Sequence, residues 1–144
     1  IECHNEVQAK EDIFAIRYNL DDWDGDGDTE EGVNDEIMSM REVLYAAIQA
    51  YAKDKAGAAL AYTGANNPYF FIDSNDNGEV DADEMNSDNR YATWTPRLLR
   101  AAYNYQYSGK DPGAFTHNAK YIMQTLYDSI EDIGGDVSAM TRPE

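Results

Sequence analysis

The feature that most constrains the fold of this sequence is the twelve-residue segment 73–84, Asp-Ser-Asn-Asp-Asn-Gly-Glu-Val-Asp-Ala-Asp-Glu. Oxygen-bearing side chains stand at positions one, three and five, a glycine at six and a glutamate at twelve. Calcium takes about seven oxygen ligands near 2.4 Å, the glycine permits a sharp turn, and the last glutamate supplies two oxygens. The spacing therefore predicts a calcium loop with six ligands: Asp73, Asn75, Asn77, the backbone carbonyl of Glu79, Asp81 directly or through water, and Glu84.

This spacing resembles the calcium loop of EF-hand proteins. Pro68 stands shortly before the loop, and it limits a helix that enters the loop to roughly one turn. We therefore expect an EF-hand-like loop on a shortened scaffold, without the opening of a helix pair that calcium sensors use. The alternative is a solvated acidic loop, which would need neither the glycine at position six nor the glutamate at position twelve.

A second acidic segment, residues 22–36, also predicts a calcium loop. Its aspartates alternate with other residues, and Gly27 takes the sixth position if Asp22 is the first. The twelfth position is then Val33, which cannot bind a cation, so Glu36, about one helical turn later, is expected to close the loop, and Glu31 competes for this role. The alternative is an acidic surface loop, in which the aspartates would repel one another without a cation. The candidate ligands are Asp22, Asp24, Asp26, Asp28, Glu31 and Glu36.

The charge balance and the motif content restrict the function classes. Twenty-eight acidic residues against eleven basic residues give a net charge of −17, which repels nucleic acids and anionic membranes and attracts cations. The sequence has no cysteine and histidine cluster for zinc, and oxygen ligands favour hard cations. It also has no nucleophile elbow and no Gly-rich phosphate loop. We therefore expect one or two calcium ions, no nucleic-acid partner and no enzymatic activity.

The periodicity of apolar residues predicts a mainly α fold, a single small domain of three or four helices with two calcium-binding loops. Residues 5–20 are expected to form a short helix or an extended arm. Thr95-Pro96 is a helix start signal and Gly134-Gly135 a stop signal. Longer helices are expected at about 33–53, 95–107 and 116–133. The expected organisation is an N-terminal arm with a partial haem-attachment motif (1–20), a calcium-binding helical domain (21–135) and a short loose tail (136–144).

The ends and the hydropathy of the sequence bear on its location. No apolar run approaches the roughly 20 residues that cross a bilayer, so no membrane span is expected. The sequence opens with Ile1 rather than Met and shows no signal-like stretch, which predicts the interior or the processed part of a longer precursor. Calcium loops of this kind stay filled where calcium is abundant, which favours a location outside the cell.

Several segments together carry a resemblance to a known family. Cys3-His4, preceded by two residues, matches the end of the c-type haem attachment motif Cys-x-x-Cys-His without its first cysteine. The other segments are Trp23-Asp-Gly-Asp-Gly-Asp28, Tyr69-Phe-Phe-Ile-Asp73, Thr95-Pro-Arg-Leu-Leu-Arg-Ala-Ala-Tyr-Asn-Tyr-Gln106 and Asp111-Pro-Gly-Ala-Phe-Thr-His-Asn118. With them, nearly the whole chain resembles the C-terminal region of bacterial extracellular multihaem c-type cytochromes.

The resemblance implies a secreted or outer-surface cytochrome whose N-terminal part carries the haems, with this chain as its largely haem-free C-terminal module. By that resemblance, Cys3 would hold a vinyl group of haem c and His4 would be the proximal ligand. His117, the other histidine, would be the candidate distal ligand. The alternative for His117 is an exposed residue near a helix start. Because the first cysteine is missing, the presence of haem c in this chain stays open.

Two functions are compatible with these features. The first is a calcium-stabilised, non-catalytic C-terminal module of an extracellular multihaem c-type cytochrome involved in electron transfer, whose partners are the haem-bearing part of the same precursor or other cytochromes. The second is a haem-free processed fragment that acts as a calcium-bound structural subunit of an extracellular filament or surface assembly. In the second case copies of the chain would associate with one another through calcium and tyrosine-rich faces.

Overall fold

The computed structural model describes residues 7–17 and 20–144. In this part of the chain the helices are α1 (Val33–Tyr51), α2 (Pro96–Ser108), α3 (Ala114–His117) and α4 (Ala119–Ile133), and the strands are β1 (Leu60–Tyr62) and β2 (Phe70–Ile72). Short 3-10 helices cover Glu11–Ala15 and Ser87–Asn89, and a π-helical turn covers Ala52–Ala56. The expected mainly α fold is confirmed, and the small sheet is an addition that the sequence did not predict.

The observed ends of the helices follow from local chemistry. At the start of α2, the hydroxyl of Thr95 accepts a hydrogen bond from the backbone N–H of Leu98 at 3.2 Å, and Pro96 fills the first helical position. Gly134 ends α4 with a φ of 92°, a conformation that glycine adopts without steric cost. The helix expected from residue 116 is broken at Asn118 (φ −160°, ψ 52°). His117 therefore ends the short α3 rather than starting the last long helix.

The core is built by three helices that pack against one another. α1 contacts both α2 and α4, and α2 contacts α4. Each helix turns one apolar face inward because its apolar residues recur every three or four positions. The fully buried side chains of this core include Met40, Leu44, Ile48, Leu98, Met123, Leu126 and Ile130.

The two-stranded sheet leads the chain into the 73–84 loop. β1 and β2 are antiparallel, with Leu60 opposite Ile72 and Tyr62 opposite Phe70. After the loop, the Asn89 side chain donates a hydrogen bond to the carbonyl of Ile72 at 2.8 Å. The loop is thus entered from a strand and left through a turn and a 3-10 helix. It therefore has neither of the two flanking helices of an EF-hand, whereas Pro68 predicts only that the first of them is short.

The segment 136–144, expected as a loose tail, is packed against the rest of the chain. Val137 and Met140 are half-buried against the core. The backbone carbonyl of Pro143 accepts a hydrogen bond from the Gln124 side chain at 2.7 Å. Arg142 also forms an ion pair with Asp128 on α4 at 2.7 Å. Among the described residues, no helix is long and apolar enough to cross a membrane.

Candidate metal centres

The first acidic loop is curled by hydrogen bonds from its own backbone. The two carboxylate oxygens of Asp22 accept hydrogen bonds from the backbone N–H groups of Gly25 at 2.7 Å and Gly27 at 2.9 Å. Both glycines have positive φ angles, 81° and 93°, which residues with a Cβ rarely adopt. Asp24 accepts in the same way from the N–H of Asp26 at 3.0 Å. The alternating aspartate and glycine pattern therefore folds the chain around its own carboxylates.

This curl brings five carboxylates of the 22–36 segment together in two overlapping groups. One oxygen each of Asp22, Asp24 and Glu36 lie within 4.8 Å of one another, and the same holds for Asp24, Asp26 and Glu31. Asp24 belongs to both groups. Asp28, also a candidate ligand, is in neither group; its carboxylate accepts a hydrogen bond from the N–H of Glu30 at 2.8 Å.

Glu36 anchors the loop to the start of α1. Its carboxylate is fully buried and forms an ion pair with Arg17 at 2.7 Å. Its second oxygen accepts hydrogen bonds from the backbone N–H groups of Trp23 at 3.0 Å and Asp24 at 2.9 Å. Both oxygens of Glu36 thus already have partners. Arg17 could not be predicted as a partner of Glu36, because the two residues lie 19 positions apart in the chain.

Asp24 and Glu31 carry the oxygens that lack partners. Oδ2 of Asp24 and Oε1 of Glu31 are buried and accept no well-formed hydrogen bond from the described residues, although the nearby Ser39 hydroxyl partly offsets the effect of burial on the pKa of Asp24. Burial, followed by the negative charges of Asp24 and Glu36, raises the pKa of Glu31 to about 7. Burial also raises the pKa of Asp24. Buried carboxylates without donors are costly when charged, and a cation would remove that cost.

The second loop has the hydrogen bonds that its sequence pattern predicts for a tight turn. Asp73 is buried, and its two oxygens accept from the backbone N–H groups of Asn77 at 3.1 Å and Gly78 at 2.7 Å. Gly78 has a φ of 86°. Glu84 is also buried and folds back on the start of the loop, where its Oε1 accepts from the N–H of Ser74 at 2.6 Å.

The remaining candidate ligands of this loop face one another through amide nitrogens. The carboxylate of Asp81 accepts hydrogen bonds from the side-chain nitrogens of Asn75 at 2.7 Å and Asn77 at 3.0 Å. Glu79 donates its backbone N–H to the amide oxygen of Asn77 at 2.9 Å. Among the described residues, no Asp or Glu of 73–84 belongs to a group of three carboxylates whose oxygens lie within 4.8 Å of one another.

Both acidic loops are attached to α1. The carbonyl of Gly78 accepts hydrogen bonds from the Tyr45 hydroxyl at 3.1 Å and from the Gln49 amide at 2.8 Å. The Tyr45 oxygen in turn accepts from the backbone N–H of Tyr62 at 2.8 Å. Burial raises the pKa of Tyr45 to about 12, so its proton stays available for the Gly78 carbonyl. Glu36 at one end of α1 and Tyr45 in its middle thus fix the two loops to one rigid element.

Of the three candidate haem ligands, His117 lies within the described part of the chain. Cys3 and His4 lie outside the described residues. His117 lines a cavity of about 490 Å³ beside α3, together with the apolar side chains of Ile16, Val33 and Phe115. Its Nδ1 lies 3.4 Å from Oδ2 of Asp111.

Comparison with known proteins links the chain to multihaem c-type cytochromes, as its sequence segments predicted. The C-type polyheme cytochrome OmcB of Geobacter sulfurreducens is 30% identical over 105 residues, covering 67% of this chain and 14% of that protein. The C-type polyheme cytochrome OmcC of the same species is 31% identical over 105 residues, with the same coverage. The chain thus spans about a seventh of the length of these relatives. No protein-family profile and no solved structure matches the chain.

Proposed function

We propose that this chain is a calcium-stabilised, non-catalytic module of an extracellular multihaem c-type cytochrome involved in electron transfer. The observation that carries this proposal is the similarity to two polyhaem cytochromes over 67% of the chain. The haems of such a protein carry the electrons, since calcium has no accessible second redox state. The partners proposed for the module are the haem-bearing part of the same precursor or other cytochromes.

The unpartnered oxygens support a calcium ion in the first loop. Asp24 and Glu31 each have one buried oxygen without a hydrogen-bond donor, and Asp26 completes their group within 4.8 Å. Calcium takes carboxylate oxygens at 2.3–2.6 Å, so one ion between these three oxygens would lie close to its preferred distance from each of them. Of the two glutamates that compete in the sequence, Glu31 is the better ligand, because its Oε1 has no hydrogen-bond partner among the described residues, whereas the charge of Glu36 is already neutralised by Arg17. Asp22 and Asp28 would contribute from the rim.

A second calcium ion is proposed for residues 73–84, on the sequence pattern and the burial of its two end carboxylates. Asp73 and Glu84 stand at positions one and twelve and are both buried. Asn75, Asn77, Glu79 and Asp81 would supply the remaining oxygens, as the loop pattern requires. Binding needs the two asparagine side chains to turn their amide oxygens, rather than their nitrogens, towards the ion.

The location and the role follow from the calcium proposal. Calcium is abundant outside cells, and weak extracellular sites stay filled there. We therefore place the module outside the cell, secreted or at the outer surface. Its function would be mechanical: the two ions neutralise part of the charge of −17 and hold both loops against α1.

A second candidate function is a haem-free subunit of an extracellular filament or surface assembly. It is favoured by the exposed apolar side chains on the outer face of α2, Leu99, Tyr103 and Tyr107. The rings of Tyr103 and Tyr107 are stacked with their centroids 6.4 Å apart. Exposed aromatic side chains are common at protein contacts. Haem absorbance and sedimentation of the purified chain would separate the two functions, because the second predicts a colourless assembly.

Thermal unfolding with and without calcium tests the calcium proposal. A ligand at 100 times its Kd stabilises a protein by about 2.7 kcal/mol per site. Two sites would therefore raise the midpoint by roughly 10–20 °C for a domain of this size. The matched control is magnesium, which demands octahedral geometry and keeps its waters. An unchanged midpoint in calcium, or an equal rise in magnesium, would remove the calcium role.

A further inference from the structure

We propose that the cavity between β2 and α2, which we call the aromatic socket, binds a proline-containing segment of an acidic partner protein. The socket has a volume of about 240 Å³. A cavity of about 150 Å³ accepts one benzene ring, whereas sites for whole small-molecule ligands span about 300–1,000 Å³. The socket therefore has room for one ring and the peptide bond beside it, the size of an anchor residue of a protein partner. Among the described residues, none of the candidate calcium or haem ligands lines it, and its lining includes Pro68, Phe70, Tyr91, Trp94, Leu99 and Tyr103.

The aromatic walls of the socket hold one another in place. The Trp94 ring meets the Phe70 ring at 89° with centroids 5.4 Å apart, and it meets the Tyr91 ring at 75° and 4.8 Å. The indole N–H of Trp94 donates to the carbonyl of Tyr91 at 3.1 Å, and the hydroxyl of Tyr91 donates to the carbonyl of Ala58 at 3.3 Å. The three rings thus form a fixed corner, so a ligand that packs there costs little side-chain entropy. Flat aromatic surfaces of this kind receive the proline rings of extended segments.

One polar group of the socket has no partner. The Gln106 side chain lines the cavity, and its Nε2 is buried without a hydrogen-bond acceptor among the described residues. In the same part of the chain, no other lining side chain has a buried nitrogen or oxygen that lacks a partner. A buried N–H without an acceptor is unfavourable, and a carbonyl of a ligand would remove that cost. A proline fits this pattern, because the carbonyl before it accepts a hydrogen bond and its own nitrogen carries no N–H.

The surroundings of the socket indicate the charge of the partner. Residues 89–110 contain four basic residues and no acidic residue, in a chain with 28 acidic residues. Arg100 follows Leu99, which lines the socket. The side chains of Arg97 and Arg100 are 53% and 62% exposed, and both pair with the single carboxylate of Asp132, so one positive charge stays in excess. This face therefore attracts an acidic segment, although the chain as a whole is acidic.

Nuclear magnetic resonance of the isotope-labelled chain tests this site directly. The probe is a synthetic peptide built of proline and glutamate, and its control is the same peptide with every proline replaced by alanine. The proline peptide should shift the signals of the Gln106 side-chain amide and of the Trp94 indole N–H. The alanine peptide should bind at least about 10-fold more weakly, because it places no ring against the aromatic walls. No shift of these two signals at millimolar proline peptide, or equal affinities for the two peptides, would overturn the proposal.

Substitutions in the socket separate binding from stability. Gln106→Leu removes the unpartnered donor with little change of size, so the affinity for the proline peptide should fall by about 3- to 10-fold while the midpoint of thermal unfolding stays the same or rises. Tyr103, which is 65% exposed, can be replaced by alanine without opening the core, and Tyr103→Ala should weaken binding by roughly 10-fold. Tyr121→Ala, a change of another exposed tyrosine on α4, is the control and should bind as the wild type does. Wild-type affinity in Gln106→Leu or in Tyr103→Ala would contradict the proposed site.

The charge of the partner is tested with Arg100→Gln. This variant should bind the proline and glutamate peptide more weakly than the wild type at low salt, and the two should become equal at high salt, because salt screens charges on exposed side chains. Equal affinities at low salt would rule out an acidic partner.

Two other occupants of the socket would give different results. If the socket binds an acidic polysaccharide, a uronic-acid oligosaccharide will shift the Gln106 and Trp94 signals and the proline peptide will not. If it binds a second copy of this chain, sedimentation will show a dimer that Tyr103→Ala dissociates, and the proline peptide will again leave both signals unchanged. Either result would refute the proposal.

Discussion

Replacing Glu31 with glutamine should stabilise the calcium-free chain and weaken its response to calcium. Burial and the charges of Asp24 and Glu36 raise the pKa of Glu31 from 4.5 to about 7 in the folded chain. The folded state therefore holds a proton that the unfolded state has already lost. As a result, Glu31 lowers the free energy of unfolding as the pH rises from about 4.5 to about 7, and this loss persists at higher pH. Because glutamine cannot ionise, the Glu31→Gln variant does not lose this part of the free energy of unfolding as the pH rises.

The size of this effect follows from the pKa shift. A rise from 4.5 to about 7 corresponds to about 3 kcal/mol, at about 1.4 kcal/mol per pH unit. Because the Glu31 side chain is only partly buried, screening by water reduces the effect to roughly 1–2 kcal/mol. For a domain of this size, that is a rise of roughly 3–8 °C in the midpoint of thermal unfolding.

Circular dichroism melting in chelator at pH 8 and pH 4 measures this effect. At pH 8 the Glu31→Gln variant should melt above the wild type, and at pH 4 the two should coincide because Glu31 is protonated in both states. In calcium the order should reverse, since the variant lacks a ligand. Glu30→Gln, an exposed change of the same charge, is the control. The reasoning fails if Glu31→Gln melts no higher than the wild type in chelator at pH 8, or if Glu30→Gln gives the same gain.

Three further substitutions test the loops and the core. Glu84→Gln should remove one of two calcium binding events in titration calorimetry. Asp83→Asn, a control at a position that is not a ligand, should keep both events. Loss of both events in Glu84→Gln would mean that the two loops do not bind calcium independently. Tyr45→Phe should lower the free energy of unfolding in urea by about 1–2 kcal/mol, because the Tyr62 N–H loses its acceptor and the Gly78 carbonyl loses one of its two donors. No change would show that this attachment is not stabilising. Leu44→Ala should cost about 2–5 kcal/mol by the same assay, since the side chain is fully buried; a cost below 1 kcal/mol would place Leu44 outside the core.

The long helices could be predicted because their signals are local. The periodicity that begins at Val33 predicts α1, whose observed range Val33–Tyr51 matches the expected start. The hydroxyl of Thr95 and the ring of Pro96 mark the start of α2 for reasons that involve only neighbouring residues. The sheet could not be predicted in this way. Its strands have three residues each, too few to show an alternation, and each depends on a partner strand for its backbone hydrogen bonds.

The two loops show where sequence spacing and spatial grouping differ. The spacing of residues 73–84 is the more complete pattern, yet the grouped carboxylates lie in residues 22–36. This grouping depends on Glu31, two residues before α1, and on Glu36, in the first turn of α1, which both lie close to the aspartates. It also depends on Arg17, which precedes the loop and forms an ion pair with Glu36. A loop pattern depends only on the spacing of residues within the segment, so it cannot predict a partner such as Arg17 that lies outside the segment. Both glutamates could therefore be predicted as candidate ligands from the sequence. Which of them pairs with Arg17 and which keeps an oxygen without a partner could not be predicted.

Equilibrium dialysis of the purified chain against calcium at extracellular concentration, with bound calcium counted while free calcium is still present, tests the central claim most directly. Two calcium ions should remain bound to each wild-type chain. One ion should remain in the double variant Asp24→Asn and Glu31→Gln, because only the first loop loses its ligands. A wild-type chain that retains no calcium under these conditions, or a double variant that still retains two ions, would contradict the assignment of calcium to these loops.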